Sequence, residues 1–353
     1  MKNVKKIFCL AFLAIVFSGC SLNGIGTTPA VKTTGSVWKS IDGGKTWVVK
    51  NKTANKSESA IADADILSIS INPYDSNNVL FGTKDDGIIK TVDGGETLSK
   101  TKFVSEKVYG LAFDPMDGRI IYASGVWQKR GKIWKSTDSG ENWTEIFTAV
   151  TEGPLVINLN IDKKNPNIIY VSTSDNQVLK SIDAGQSWKN IFQAPSPVVQ
   201  IALDSSNSNL IYFNVQNNGI YRSREGGMNA ESISKEVSKI SNNNNKFNLV
   251  ETDPNNSNWV YAVGSVGILR SKDGGNNWEK IETLNDSQSF PVTSIAIRRG
   301  NSNEIVYSAA KTAYKSDDQG VNWMSFQLTD TKSVRVLKYD MNDTQLIYLG
   351  TSK

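Results

Sequence analysis

Histidine is absent from the 353 residues, and cysteine occurs only twice, as Cys9 and Cys20. The commonest general base and transition-metal ligand is therefore missing, and any catalysis would fall to carboxylates, tyrosine or lysine. Net charge is small as well: +4 over the whole chain is no electrostatic footprint for nucleic acid. Long apolar runs are lacking too. The longest, residues 7–17, falls short of the roughly 20 residues that a membrane-spanning helix needs.

That run has a setting of its own. Lys2, Lys5 and Lys6 precede it and Ser18-Gly19-Cys20 follow it, which is the layout of a secretory signal. Phe17-Ser18-Gly19-Cys20 resembles a bacterial lipobox, with Phe17 where leucine is usual. The resemblance implies that residues 1–19 are a signal peptide and that Cys20 becomes the lipidated first residue. Cys9 then departs, so no internal disulfide is expected. Three lysines and no acid leave with it, which lowers the formal charge to +1. Residues 20–35 are small, polar and unpatterned, as a flexible tether would be. The expected location is the bacterial cell envelope, anchored to a membrane on its extracytoplasmic side.

What the chain has in quantity is one nine-residue phrase. Residues 39–47 read Lys-Ser-Ile-Asp-Gly-Gly-Lys-Thr-Trp, and related copies stand at 90–98, 135–143, 180–188, 222–230, 270–278 and 315–323. The box acids Asp42, Asp93, Asp138, Asp183, Glu225, Asp273 and Asp318 are spaced by 51, 45, 45, 42, 48 and 45 residues. A period of this size marks a repeat architecture. Within a box, an apolar residue, a Ser-x-Asp-x-Gly turn and a returning tryptophan describe two short strands joined by a tight hairpin. The acid can accept hydrogen bonds from the N–H groups of its own turn, glycine supplies positive φ, and tryptophan returns a large apolar surface to the sheet.

The signature resembles the Asp-box, or bacterial neuraminidase repeat, which marks the hairpin between the third and fourth strands of a β-propeller blade. Trp47, Trp143, Trp188, Trp278 and Trp323 close five complete copies; Leu98 replaces one tryptophan, and Glu225 with Ala230 makes the fifth copy degenerate. The resemblance extends to sialidases, xyloglucanase-type glycosidases, sortilin-type receptors and photosystem assembly factors. It implies a propeller fold far more strongly than any one activity.

Between boxes, alternating strands such as Ile69-Ser70-Ile71 and Ile201-Ala202-Leu203 run through an Asn/Asp turn into short apolar strands such as Ile121-Tyr122 and Ile169-Tyr170. Alternation bounded by such turns predicts strands. The chain starts with a box and ends with a strand-turn-strand unit, and the two ends joined together reproduce an internal junction. The fold expected is all-β: one seven-bladed propeller over residues 36–353, closed by pairing N-terminal and C-terminal strands in a single blade, with no open edge. Turns of constant length then share one face. The variable connections, 50–65, 123–132, 147–154, 230–246 and 282–291, share the other, where binding residues are usually placed.

Few candidates survive subtraction of the repeat. The basic residue opening every box cannot mark a single site. Trp127 alone among the tryptophans has no place in the repeat; with Gln128 and Arg130 it can stack on a sugar or anchor a protein, or else pack on a neighbouring loop. Asp85, Asp86 and Asp175 lie on the variable face, and a suitably spaced pair of carboxylates could hydrolyse a glycoside. Asp63-Ala64-Asp65 lacks the spacing of a recognised calcium loop, and no metal or cofactor is expected. The sialidase resemblance implies an arginine trio and a Phe/Tyr-Arg-Ile-Pro segment, which this chain lacks. The xyloglucanase resemblance implies a cleft between two tandem propellers, and here there is one. The reading is a monomeric, non-catalytic binding or assembly module whose partner is an envelope or membrane protein, or a glycan. The alternative is a carbohydrate-active enzyme.

Overall fold

A computed structural model describes residues 35–55, 61, 63–105, 107–241, 246–329 and 332–353. The signal segment, Cys20, residues 20–34 of the tether and residues 242–245 lie outside them. Seven four-stranded antiparallel sheets form the blades of a propeller. Their inner strands are Ile66–Asn72, Lys107–Phe113, Val156–Ile161, Val198–Leu203, Phe247–Thr252, Val292–Ile297 and Ser333–Tyr339, each packed against the next round a closed ring. We number the blades by their boxes, so that blade 1 holds residues 39–47 and blade 7 residues 315–323. Blade 1 draws its strands from both termini: Val37–Ser40 pairs antiparallel with Ile347–Ser352, from Val37 opposite Gly350 to Ser40 opposite Ile347.

The sequence pattern of each strand follows from its place. Second strands have neighbours on both sides and blades above and below, so Ile169–Thr173, Ile211–Val215, Val260–Gly264 and Ile305–Ala309 are buried over their whole length, which demands a continuous apolar run. They hold a column of buried tyrosines, Tyr122, Tyr170, Tyr212, Tyr261 and Tyr348. Tyr170 Oη donates to Gly226 O of the next blade at 3.2 Å and Tyr122 Oη to Ala184 O at 3.4 Å.

The box hairpins are self-sufficient. In the six boxes with aspartate, the Ser/Thr Oγ donates to the Asp Oδ1 at 2.7–2.9 Å and accepts from the second glycine's N–H at 2.7–2.9 Å. The same Oδ1 accepts the N–H four residues on at 2.8–2.9 Å. This glycine, two residues after the aspartate and the only one in three of the boxes, requires its identity twice over. At Gly185 φ is +91°, and an added Cβ would stand 2.4 Å from Ile146 Cδ1 of the preceding blade. Trp47, Trp143 and Trp278 each donate Nε1–H to that glycine's carbonyl at 3.0–3.1 Å. Where Leu98 stands for tryptophan, residues 52–54 of the preceding loop cover it: Leu98 N–H donates to Lys52 O and Leu98 O accepts from Ala54 N–H, both at 2.9 Å.

The basic residue of the box links blades. Lys39 Nζ donates to Gly94 O (2.7 Å), Lys90 to Ser139 O (3.0 Å), Lys180 to Gly226 O (3.0 Å) and Arg222 Nη1 to Gly274 O (2.6 Å), in each case the box of the following blade. A second link secures the closing blade. Lys332, just before its inner strand, is buried, and its Nζ lies 3.1 Å from Asp63 Oδ1 and 3.4 Å from Asp65 Oδ1 and donates to Ala64 O at 3.1 Å. The Asp63-Ala64-Asp65 triplet thus holds a lysine ammonium, which explains two clustered carboxylates without a metal.

The eight-residue helix Ser234–Ser241, within the 230–246 connection of blade 5, departs from the strand-and-loop expectation. Ile233, Val237 and Ile240 follow a helical spacing and pack on Ile220 of the same blade, which is the signal the strand reading passed over.

Candidate functional site

Each inner strand is bulged near its start, and Ile66–Asn72 has a second irregularity between Ile71 and Asn72. The register slips at Leu67, Tyr109, Ile157, Val199, Asn248, Thr293 and Arg335 in turn, two residues into each strand, where the chain has just left the variable connection. A bulge leaves its extra residue unpaired and re-aims it. Around the ring the seven divide in two. Blades 2 to 5 present half-buried Leu67, Tyr109, Ile157 and Val199, whereas blades 6, 7 and 1 present Asn248, Thr293 and Arg335. Half the rim of the channel on this face is therefore apolar and half polar.

Trp127 stands in blade 3, within the apolar half. The segment expected to be a loop is instead strand: Ile121–Trp127 and Arg130–Ser136 pair to their ends, with Trp127 opposite Arg130, so the three surplus residues lengthen a hairpin. Its two-residue turn is Gln128-Lys129, with φ of +51° and +63°, the left-handed pair of a type I′ turn for which Asn-Gly is favoured. Neighbouring loops brace it. Gly153 N–H donates to Lys129 O at 3.0 Å, Gly131 N–H to Pro154 O at 2.9 Å, and Ala149 N–H to Gly131 O at 2.8 Å. Trp127 remains 39 % exposed at the tip.

The carboxylates on the same face behave differently. Asp175 accepts from Thr173 Oγ1 and from Gln177 Nε2 at 2.9 Å, inside its own turn. Asp86 lies 3.8 Å from Lys100 Nζ. Asp85 is exposed. These residues occupy the corresponding turns of blades 2 and 4, on either side of Trp127, and none hydrogen-bonds to another or to Trp127, Gln128 or Arg130. The residue before Val37 emerges at this face as well, since a third strand starts there.

Two residues that sequence reasoning missed, Glu251 and Lys338, line the channel. Opposite Leu80, Tyr122, Tyr170, Tyr212, Tyr261, Val306 and Tyr348, the inner strands place Ser70, Ala112, Asn160, Ala202, Glu251, Ala296 and Lys338. Glu251 and Lys338 are the only charged members of that column. The signal was present in the alternation, as two charges in a small-residue register.

The sequence profile of the Sortilin-Vps10 family (sortilin, neurotensin receptor 3) matches residues 35–151 and 131–263, well over half of the chain. The chain belongs to the Sortilin-Vps10 family. No curated protein matches the sequence. Among solved structures, this Sortilin-Vps10 propeller is similar to YCF48 bound to D1 peptide (TM-score 0.61, 15 % identity, 82 % of this chain and 94 % of that one) and to YCF48 from Cyanidioschyzon merolae (0.59, 15 %, 81 % and 95 %). It is also similar to the GH74 xyloglucanase from Xanthomonas campestris (0.60, 14 %, 81 % and 50 %), half of whose length it spans. At these identities the likeness is one of fold, shared by YCF48 and by a GH74 xyloglucanase alike. The Sortilin-Vps10 match ends at residue 263, so it leaves the outer two strands of blade 6, all of blade 7 and the inner two strands of blade 1 to be identified by boxes and strand order.

Proposed function

We propose that the protein is a membrane-anchored, non-catalytic propeller that docks a polypeptide segment of a membrane-borne partner on its variable face, at the bacterial cell envelope. The observation that carries this reading is the half-apolar rim formed by Leu67, Tyr109, Ile157 and Val199 beside the exposed Trp127 hairpin. Clustered aromatic and aliphatic anchors beside polar groups are what a peptide-binding surface needs. That YCF48 has been solved with a D1 peptide agrees with peptide docking on such a scaffold. Residues 20–35, tethered through a lipidated Cys20, would leave from the same face and keep it near the bilayer, since about 15 flexible residues reach roughly 20 Å. Asp175 is held inside its own turn and Asp86 lies beside Lys100, so neither is placed as a free member of the carboxylate pair that glycoside hydrolysis needs.

An exposed tryptophan beside arginine also suits a sugar ring, which keeps glycan binding or hydrolysis as the second reading. Capture from solubilised envelope membranes by wild-type protein, Trp127→Ala and Tyr74→Ala decides between them. Tyr74 is 66 % exposed on the opposite face. Docking predicts a membrane-protein partner lost only with Trp127→Ala. Release of sugar from xyloglucan or sialosides, abolished by Asp85→Asn, would replace this reading with the enzymatic one.

A further inference from the structure

The channel widens at the face of constant turns into a mouth of about 490 Å3, continuous in its lining with a narrower segment of about 250 Å3. Lys163, Glu251 and Lys338 line both, at the join, and Arg299 lines the mouth. Each breaks a repeat. Glu251 and Lys338 stand in the column otherwise held by Ser70, Ala112, Asn160, Ala202 and Ala296. Lys163 and Arg299 follow the turn residue where other blades have Pro73, Pro115 and Pro254. A scaffold that needed only to close its ring had no use for these charges.

Their pairing is incomplete. Among the described residues neither Lys163 nor Lys338 forms an ion pair or a hydrogen bond, and Arg299 donates only to Met341 O at 3.4 Å. Lys164, also at the mouth, donates to Ser206 O. Of the two acids that line the mouth, Asp340 accepts with Oδ1 from the N–H groups of Asn342 and Asp343 at 2.6 and 2.9 Å and keeps Oδ2 buried without a partner. Glu251 is left to face the cations. Burial pushes its carboxyl up against the opposing pull of Lys338 and Lys163, which stand exposed to the channel. Four cations, Lys163, Lys164, Lys338 and Arg299, thus line the mouth against two acids, while Asp162 and Asp204 border the narrower segment with their Oδ1 atoms accepting from their own turns.

We propose that this mouth is a binding site for a compact oxyanion of the phosphate type, free or as the end group of a small molecule, held between Lys163, Lys338 and Arg299. The site lies at the end of the channel away from Trp127 and does not depend on the docking reading. Glu251 sets its strength, opposing the anion when ionised and able to donate to it when protonated.

Thermal melting and calorimetry at constant ionic strength test it, with inorganic phosphate and glycerol phosphate as probes against chloride. Wild-type protein should be stabilised by phosphate, by the ester, or by both, and the stronger of the two identifies the source. Lys163→Met and Lys338→Met should each weaken binding at least tenfold while melting no lower than wild type in chloride, because a repulsion has been removed. Glu251→Gln should bind several-fold tighter. If a lysine variant fails to fold, Arg299→Gln, which changes an exposed side chain, should still weaken binding. No stabilisation over chloride by either probe, or a shift that survives in these variants, overturns the proposal.

Discussion

The box hairpins and the inner strands repeat with the same period, yet they treat polar groups in opposite ways. The six aspartate boxes close the hydrogen bonds of their turns within nine residues, and Lys39, Lys90, Lys180 and Arg222 each pass a cation to the next box, so the turns are self-contained. The inner strands keep their register and their bulge but vary what they carry there: four apolar bulge residues against three polar ones, and five small lumen residues against Glu251 and Lys338. A position filled identically in seven blades is explained by the ring. A position that differs between blades needs another explanation, and the channel is where such positions gather.

The comparison breaks most completely when the ring is opened. Deleting residues 333–353 removes the inner two strands of blade 1, leaves its outer strands Val37–Ser40 and Val48–Lys50 without them, and exposes sheet edges. The expected product is aggregated, and a monomeric, cooperatively melting truncation would contradict the closure. Next in size is the box tryptophan. Trp47 is 5 % exposed and Trp278 8 %, so Trp47→Ala should lose about 3–5 kcal/mol. Trp188 is half-buried and its Nε1 has no hydrogen-bond partner, which makes Trp188→Ala the milder change. Equal losses in denaturant melts would show that the boxes are not graded by burial.

The clasp of Lys332 offers a sharper cut. It joins the closing blade to Asp63 and Asp65 without belonging to the repeat, and Lys332→Met should destabilise by about 2–3 kcal/mol, the scale of lost charge-assisted hydrogen bonds with one carboxylate free to hydrate. A neutral result would mean that the strand pairing alone holds the ring.

The box acids give the comparison a pH axis. Hydrogen bonds from Asn142 and Ser136 hold Asp138 at about 2, and those from Ser187 and Ser181 do the same for Asp183; Asp318 is lowered likewise by Asn322 and Ser316. Carboxyls depressed in the folded state contribute stability that is complete above the unfolded value near 4 and vanishes as pH falls through about 2. Melting temperature should therefore hold level down to about pH 4 and decline below it. Ser136→Ala and Ser181→Ala should flatten that decline, and a fall centred above pH 5 would place the sensitive groups elsewhere.

These contrasts also show why the chain was legible in parts. A box is local: its serine, aspartate, glycine and tryptophan act on one another within nine residues, and both the blade count and the terminal pairing follow from where boxes begin and end. The inner charges act only through the ring. Glu251 and Lys338 belong to blades 6 and 1, Lys163 to blade 4, and nothing in the neighbourhood of any one of them announces the others. Trp127 was legible as a surplus residue, but its hairpin was not, because Gln128-Lys129 lacks the turn chemistry that marks a tight reversal. Asp63 and Asp65 lack the spacing of a calcium loop, and the cation beside them, Lys332, is distant in sequence.

The smallest expected effect concerns that hairpin. Other blades make the corresponding turn with residues suited to positive φ, among them Gly87, Asn176, Gly219 and Gly267. Blade 3 uses glutamine and lysine, for which the left-handed region is unfavourable. Gln128→Asn combined with Lys129→Gly keeps the backbone that Gly153 N–H binds through Lys129 O, and gives up only the exposed 4.0 Å approach of Lys129 to Glu152. Relief of strain at two positions should outweigh that loss and stabilise the protein by about 1 kcal/mol, read as a modest rise in melting temperature. If side chains at the tip take part in docking, the same variant should bind its partner more weakly although it is the more stable protein. Stability gained with binding intact would assign the docking surface to Trp127 and the bulged rim alone, and stability lost would mean that the loops around residues 149–155, and not the turn residues, set the shape of the tip.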